Sequence, residues 1–162
     1  EVKMSVTRPV LLATDGSPSA AEGERKAIEL ARALGAPLVV VSVKHLALPV
    51  TGYGGYGYSD IVAELKTQED KRVEKLLAAV TETAEAEGVS CSAVAADGHA
   101  VDEICRKAGD YEAQLIVVGS HGWGAARRLF SGSVSTGLVH SAPCPVLVVR
   151  SPQQAHEHAA AA

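Results

Sequence analysis

The chain has 162 residues and a mass of 16.7 kDa, which predicts one domain with one substantial hydrophobic core. It is 47% hydrophobic but only 4% aromatic, a composition that excludes disorder throughout. Fifteen basic against 19 acidic residues give a net charge of −4, which argues against a general nucleic-acid binder. The sequence contains no run of 18 apolar residues, so no membrane span and no membrane partner are predicted.

The domain is expected to cover residues 7–150. Residues 1–6 are interpreted as an extension, of which 1–3 stand ahead of the only methionine, Met4. Residues 151–162 show no core pattern and are expected to form a flexible tail. The start lacks the apolar stretch of a secretion signal, and Cys91, Cys105 and Cys144 lack CxxC spacing. We therefore expect a cytoplasmic protein with buried free thiols.

Apolar runs and helical periods alternate along the chain. Short apolar, β-branched runs predict strands at residues 9–13, 38–43, 89–96, 115–118 and 145–149. Helical spacing predicts helices at about 19–34, 60–88, 101–108 and 133–141. Ser19 and Glu22 fit a capping box at the first helix start, and Gly35 is placed to cap its end. Gly109 is expected to end the third helix.

Residues 44–59 concentrate glycine and tyrosine without any helical or strand period, which predicts a flexible surface loop. The loop contains a GxGxxG pattern at Gly52, Gly54 and Gly57. This pattern is interpreted as accidental, because it follows the preceding strand by eight residues instead of directly.

Five strands separated by four helices predict a single-domain α/β fold, a doubly wound, Rossmann-like sheet of five parallel strands. Ligands of such folds bind beyond the carboxyl ends of the strands, where the strand order reverses. The positions to examine are therefore Asp15, Val43, Gly98 and the stretch from Gly119, each of which follows or ends a predicted strand.

The strongest chemical signal is Gly119-Ser120-His121-Gly122, followed after nine residues by Gly132-Ser133. Glycines let backbone amides approach an anion, and the start of the helix near Ser133 adds further donors at the positive end of its dipole. The hydroxyls of Ser133 and Ser135 are further candidate donors, and Arg127 and Arg128 are possible charge partners. This spacing predicts a phosphate-binding cradle.

These features resemble the universal stress protein family, specifically its ATP-binding branch: the Gly-x2-Gly-x9-Gly-Ser spacing after a strand, an early strand ending in aspartate, and the final APCPVLVVR. The resemblance covers about residues 7–150. It implies that Asp15 lies beside adenosine, that the Val43 backbone contacts adenine, and that Gly98 lines the pocket. It further implies a triphosphate bound by Gly119, Gly122, Gly132 and Ser133, with Ser135 as an addition, and a homodimer through residues 145–149.

Two side chains at this edge have alternative interpretations. Asp15 either contacts ligand or satisfies its own backbone in the turn after the first strand. His121 is either a general base or, as is commoner for a histidine between glycines, a backbone donor or solvent-facing residue. The sequence contains neither a Walker A loop nor a GxSxG nucleophile pattern.

The leading hypothesis is an ATP-binding stress-response module, with Mg²⁺ offsetting the triphosphate charge and no side-chain metal site. One alternative is a slow, metal-dependent ATPase in which His121 or Asp15 positions water. Another is a sensor of AMP or cyclic AMP, because the contacts implied for Asp15 and Val43 do not require a γ-phosphate. A purely structural role without ligand is the remaining alternative.

Overall fold

The computed structural model describes residues 7–45, 58–120 and 133–150. Within these ranges, five strands and four helices alternate, as the sequence pattern predicts. The strands are β1 (Val10–Ala13), β2 (Leu38–Lys44), β3 (Cys91–Asp97), β4 (Leu115–Gly119) and β5 (Val146–Val149). The helices are α1 (Ala21–Leu34), α2 (Tyr58–Ala86), α3 (Ala100–Asp110) and α4 (Ser133–Ser141).

The five strands form one parallel sheet in the order β3-β2-β1-β4-β5, which confirms the predicted doubly wound α/β fold. Helices α1 and α2 pack on one face, where Leu12, Val40 and Val73 belong to one apolar cluster. Helices α3 and α4 pack on the other, where Leu11 and Leu138 belong to a second cluster. The continuous apolar runs of β1 and β2 follow from this arrangement, because both faces of the central strands are covered.

Several predicted boundaries are corrected by the structure. The capping box at Ser19 and Glu22 is wrong: the N-cap residue is Ala20, in helical conformation and without a side-chain cap. The hydroxyls of Ser17 and Ser19 instead lie 3.2 Å apart. Helix α2 begins at Tyr58 rather than at residue 60, and strand β2 continues through Lys44. Most of the predicted loop at 44–59, including its GxGxxG pattern, lies outside the described residues.

Glycine was predicted to end both α1 and α3, and the structure confirms this prediction only for α1. Gly35 has a φ of 59° and its N–H donates to the Arg32 carbonyl, which confirms the predicted C-cap of α1. Gly109 does not end α3, which continues to Asp110. The left-handed conformation occurs three residues later, at Glu112, with a φ of 48°.

Candidate functional site

The strand order reverses between β1 and β4, so the carboxyl ends of these two strands form the edge where ligands bind in doubly wound folds. Ala13, at the end of β1, pairs with Val41 of β2 and with Val118 of β4. Asp15, Val43 and Ser120 each come two residues after one of these three paired residues. They are therefore at the same level along the strand direction. The structure thus brings together three segments that the sequence marked separately.

Asp15 is half-buried in the β1–α1 turn, and its Oδ1 accepts a hydrogen bond from the Ser17 N–H at 3.0 Å. The neighbouring Gly16 N–H donates to Thr14 Oγ1 at 3.1 Å. The turn interpretation of Asp15 is therefore correct, and its contact with ligand stays a prediction. Because these two amides are satisfied by local side chains, an anion would need donors from other segments.

Gly119 is a packing glycine as well as a candidate ligand residue. A Cβ built on it would lie 3.0 Å from the Ser19 carbonyl oxygen and 3.2 Å from Ala20 Cα, so this side of Gly119 faces the start of α1. The Ser120 N–H donates to the Val149 carbonyl at 2.9 Å and prolongs the pairing of β4 with β5. Packing against α1 thus favours glycine at this position, independently of any bound phosphate.

Helix α4 begins at Ser133, the last residue of the Gly-x2-Gly-x9-Gly-Ser motif. Its first turn contains no acidic residue, so no side-chain anion there competes for the positive end of the helix dipole. The Ser135 side chain is buried, and Leu138 anchors the helix in the core. Gly122, Gly132, the Ser133 side chain, His121, Arg127 and Arg128 lie outside the described part of the structure, so their predicted roles stay predictions.

Gly98 and Val43 lie at the same edge, on the side of β3. Val43 is half-buried and pairs with Ala96, two residues before Gly98. Gly98 has a φ of 136°, a conformation that favours glycine. It borders a cleft of about 400 Å³ whose other lining residues are mostly charged: Lys44, His45, Lys66, Glu69, Asp70 and Asp97.

Ion pairs organise this cleft. Lys44 Nζ lies 2.7 Å from Asp70 Oδ1 and 3.5 Å from Asp97 Oδ2, and its hydrogen bond to Asp70 raises the pKa of the Lys44 ammonium. Arg72 and Glu69 form a second pair, with Nε to Oε2 at 2.7 Å and Nη2 to Oε1 at 2.8 Å. Sequence reasoning missed both pairs. Only the three-residue spacing of Glu69 and Arg72 on one helix was readable in advance.

The three cysteines are free, as their spacing predicted, but the prediction that they are buried is wrong, because each is only half-buried. Burial raises the pKa of each thiol, so none resembles an activated thiolate. Within the described ranges no cluster of three or more histidine, cysteine or acidic side chains is arranged to hold a metal. No described helix is both long and apolar enough to cross a bilayer.

The element order and sheet topology define a doubly wound α/β protein whose strand order reverses between β1 and β4. The profile of the universal stress protein family matches residues 7–150, and the chain belongs to that family. One relative, universal stress protein YxiE of Bacillus subtilis, is 32% identical over 144 residues, spanning 87% of this chain and 97% of its own.

Solved structures agree with the fold. Universal stress protein UspA from Lactobacillus plantarum superposes with a TM-score of 0.76 at 22% identity, covering 90% of this chain and 98% of its own. A universal stress protein from Archaeoglobus fulgidus, solved in complex with dAMP, superposes with a TM-score of 0.64 at 23% identity. The match covers 90% of this chain and 99% of the A. fulgidus chain.

Proposed function

We propose that this universal stress protein binds an adenine nucleotide, with ATP as the preferred ligand, at the carboxyl edge between β1 and β4. The observation that carries the proposal is the convergence of Asp15, Val43 and the Gly119-Ser120 segment at the strand-order reversal. The dAMP complex of the A. fulgidus relative supports the choice of an adenine nucleotide.

The chemistry of these groups fits such a ligand. The Asp15 carboxylate is an acceptor suited to ribose hydroxyls, and the main chain of Val43 can pair with the adenine edge. The amino end of α4 would supply donors to the phosphates, together with Gly119, Gly122, Gly132, Ser133 and Ser135 of the motif. Mg²⁺ would enter with the phosphates and offset their charge. Occupancy would then change the order of the surrounding loops and thereby partner binding or oligomeric state in the stress response.

Calorimetric titration with ATP, AMP, cyclic AMP and adenosine tests the proposal, supported by native mass spectrometry of protein purified without added nucleotide. Asp15→Asn is the informative variant, because an amide oxygen can still accept the Ser17 N–H while the charge is removed. We expect it to fold like wild type and to bind every adenosine ligand about tenfold more weakly. Absence of nucleotide binding by wild type, or undiminished binding by Asp15→Asn, would contradict the proposal.

The competition also separates the alternatives. Tighter binding of ATP than of AMP supports a site that grips the triphosphate, whereas equal or tighter binding of AMP or cyclic AMP supports the sensor. Slow hydrolysis remains the enzymatic alternative. Its test is turnover that survives exhaustive purification and disappears in variants of His121 or Asp15.

We also propose that two copies pair through residues 145–149. Strand β5 lies at the edge of the sheet, and its four residues are apolar and only half-buried. An apolar edge strand of this kind is expected to be covered or paired. Light scattering at tens of micromolar should therefore give a dimer, and a monomer there would contradict this assembly. Residence in the cytoplasm stays a prediction from the sequence.

A further inference from the structure

A single ion pair on α2 connects the main chain after β1 with the main chain after β2. Arg72 Nη1 donates to the Asp15 carbonyl at 3.0 Å, while its Nε and Nη2 donate to the Glu69 carboxylate. Glu69 Oε1 also accepts the His45 N–H at 2.9 Å. The pair therefore holds two segments of the ligand edge to the same turn of one helix.

Neighbouring contacts fix this turn of α2 on the sheet. The Leu76 side chain fills the space beside Gly16, where an added Cβ would lie 3.1 Å from both Leu76 methyl carbons. Val73 is 1% exposed in the core, and Asp70 pairs with Lys44 at the end of β2. Because the helix is docked on both sides of Arg72, the guanidinium meets the Asp15 carbonyl from a fixed position.

Both members of the pair are held in their charged forms. The Glu69 side chain is only 14% exposed, and its hydrogen bonds from Arg72 lower the pKa of the carboxyl. The same contacts raise the pKa of Arg72. The planar fork of arginine suits this arrangement, because it can serve one carboxylate with two N–H groups while a third reaches the Asp15 carbonyl.

We propose that Arg72 and Glu69 are positioning residues of the nucleotide site, holding the Asp15 peptide and the end of β2 in the geometry that receives the nucleoside. This inference rests on the proposed function and assigns the pair a role in that same site. Arg72 would act through the main chain of Asp15 rather than by touching the ligand.

A direct contact between Arg72 and the phosphates is the competing explanation, and the structure disfavours it. Helix α2 packs on the face of the sheet shared with α1, whereas α4 packs on the opposite face. Three N–H groups of Arg72 are also engaged with protein oxygen atoms. The two explanations predict different ligand dependence, since a phosphate contact affects ATP but not adenosine.

The experiment compares the full chain with Arg72→Gln, Arg72→Lys and Glu69→Gln. Arg32→Gln is the matched control: it breaks the exposed Arg32–Glu87 ion pair, 3.2 Å long, which joins the end of α1 to the residue after α2. We expect Arg72→Gln and Glu69→Gln to weaken ATP and adenosine binding by the same factor, about fivefold to tenfold. Arg72→Lys should not restore affinity, because a lysine cannot make all three contacts.

Hydrogen exchange of the nucleotide-free protein gives a second readout. Peptides covering residues 14–17 should exchange faster in Arg72→Gln than in wild type, and at the wild-type rate in Arg32→Gln. If Arg72→Gln and Glu69→Gln both bind nucleotide as tightly as wild type, this inference is overturned and the proposed function stays intact. A loss confined to ATP, or restored by Arg72→Lys, would overturn it in favour of a phosphate contact. No binding by wild type would overturn the proposed function and this role with it.

Discussion

Gly23 of α1 and Gly119 of β4 let a helix and a strand approach with their backbones in contact. A Cβ on Gly23 would lie 3.2 Å from the Gly119 nitrogen, and a Cβ on Gly119 would lie 3.0 Å from the Ser19 carbonyl oxygen. Both glycines are buried. The start of α1 is therefore seated on the end of β4, at the strand-order reversal where the nucleotide is proposed to bind.

Gly119→Ala is accordingly expected to destabilise the fold by about 1–3 kcal/mol, because neither backbone partner can move away cheaply. Gly109→Ala is the control: it lies in α3 with open space around the added methyl, and should stabilise by about 0.5–1 kcal/mol. Urea denaturation measures both. An unchanged midpoint for Gly119→Ala would contradict the packing role. If the prediction holds, lost nucleotide binding in a Gly119 variant cannot by itself identify a phosphate contact.

The position of α4 depends on a second close approach, between Gly137 and Val101 of α3. A Cβ on Gly137 would lie 2.6 Å from Val101 Cγ2, and valine has little rotameric freedom to move aside. Gly137→Ala should therefore cost about 1–3 kcal/mol of unfolding free energy. The double variant with Val101→Ala should lose less than the sum of the single losses. Strict additivity in urea denaturation would show that the two residues do not compete for this space.

The strands were predictable because β1 and β2 are buried on both faces, and such strands consist of uninterrupted apolar residues. Helix periods were equally clear, and Val73 and Ala84 of α2 are buried as their spacing predicted. The helix start was misread because a Ser-x-x-Glu spacing cannot show that the turn before α1 is closed by other contacts, including the Ala20 N–H donating to the Ser17 carbonyl.

The site was predictable only as far as it follows from strand ends. Asp15 lies two residues after one apolar run and Val43 ends another, so their shared edge follows from the topology. The ion pair of Arg72 and Glu69 could not be assigned in this way. Its partners Asp15 and His45 are 57 and 24 residues away in sequence, and a charged pair on a helix usually faces solvent.

The ion pair of Glu69 and Arg72 should make the stability of the folded protein depend on pH. The pKa of Glu69 is lower in the folded protein than its usual value of 4.5. The contribution of the ion pair to the free energy of unfolding is therefore complete above pH 4.5 and is lost as pH falls through the folded pKa. The difference in melting temperature between wild type and Glu69→Gln should therefore be largest near neutral pH and shrink on acidification. Arg72→Gln should show the same trend, because it removes the cation that lowers the pKa. A pH-independent difference would contradict this coupling.

Replacing Ser42 is expected to stabilise the protein, whereas the substitutions of Gly119 and Gly137 are expected to destabilise it. Its side chain is fully buried on β2, and within the described ranges its Oγ has no hydrogen-bond partner. A buried hydroxyl without a partner costs about 1–3 kcal/mol, so Ser42→Ala should stabilise the protein by about 0.5–2 kcal/mol. Thr14→Val is the contrasting variant, because Thr14 Oγ1 donates to Glu24 at 2.6 Å and accepts the Gly16 N–H. Urea midpoints should rise for Ser42→Ala and fall for Thr14→Val, and a fall in both would show that the Ser42 hydroxyl is hydrogen-bonded in solution.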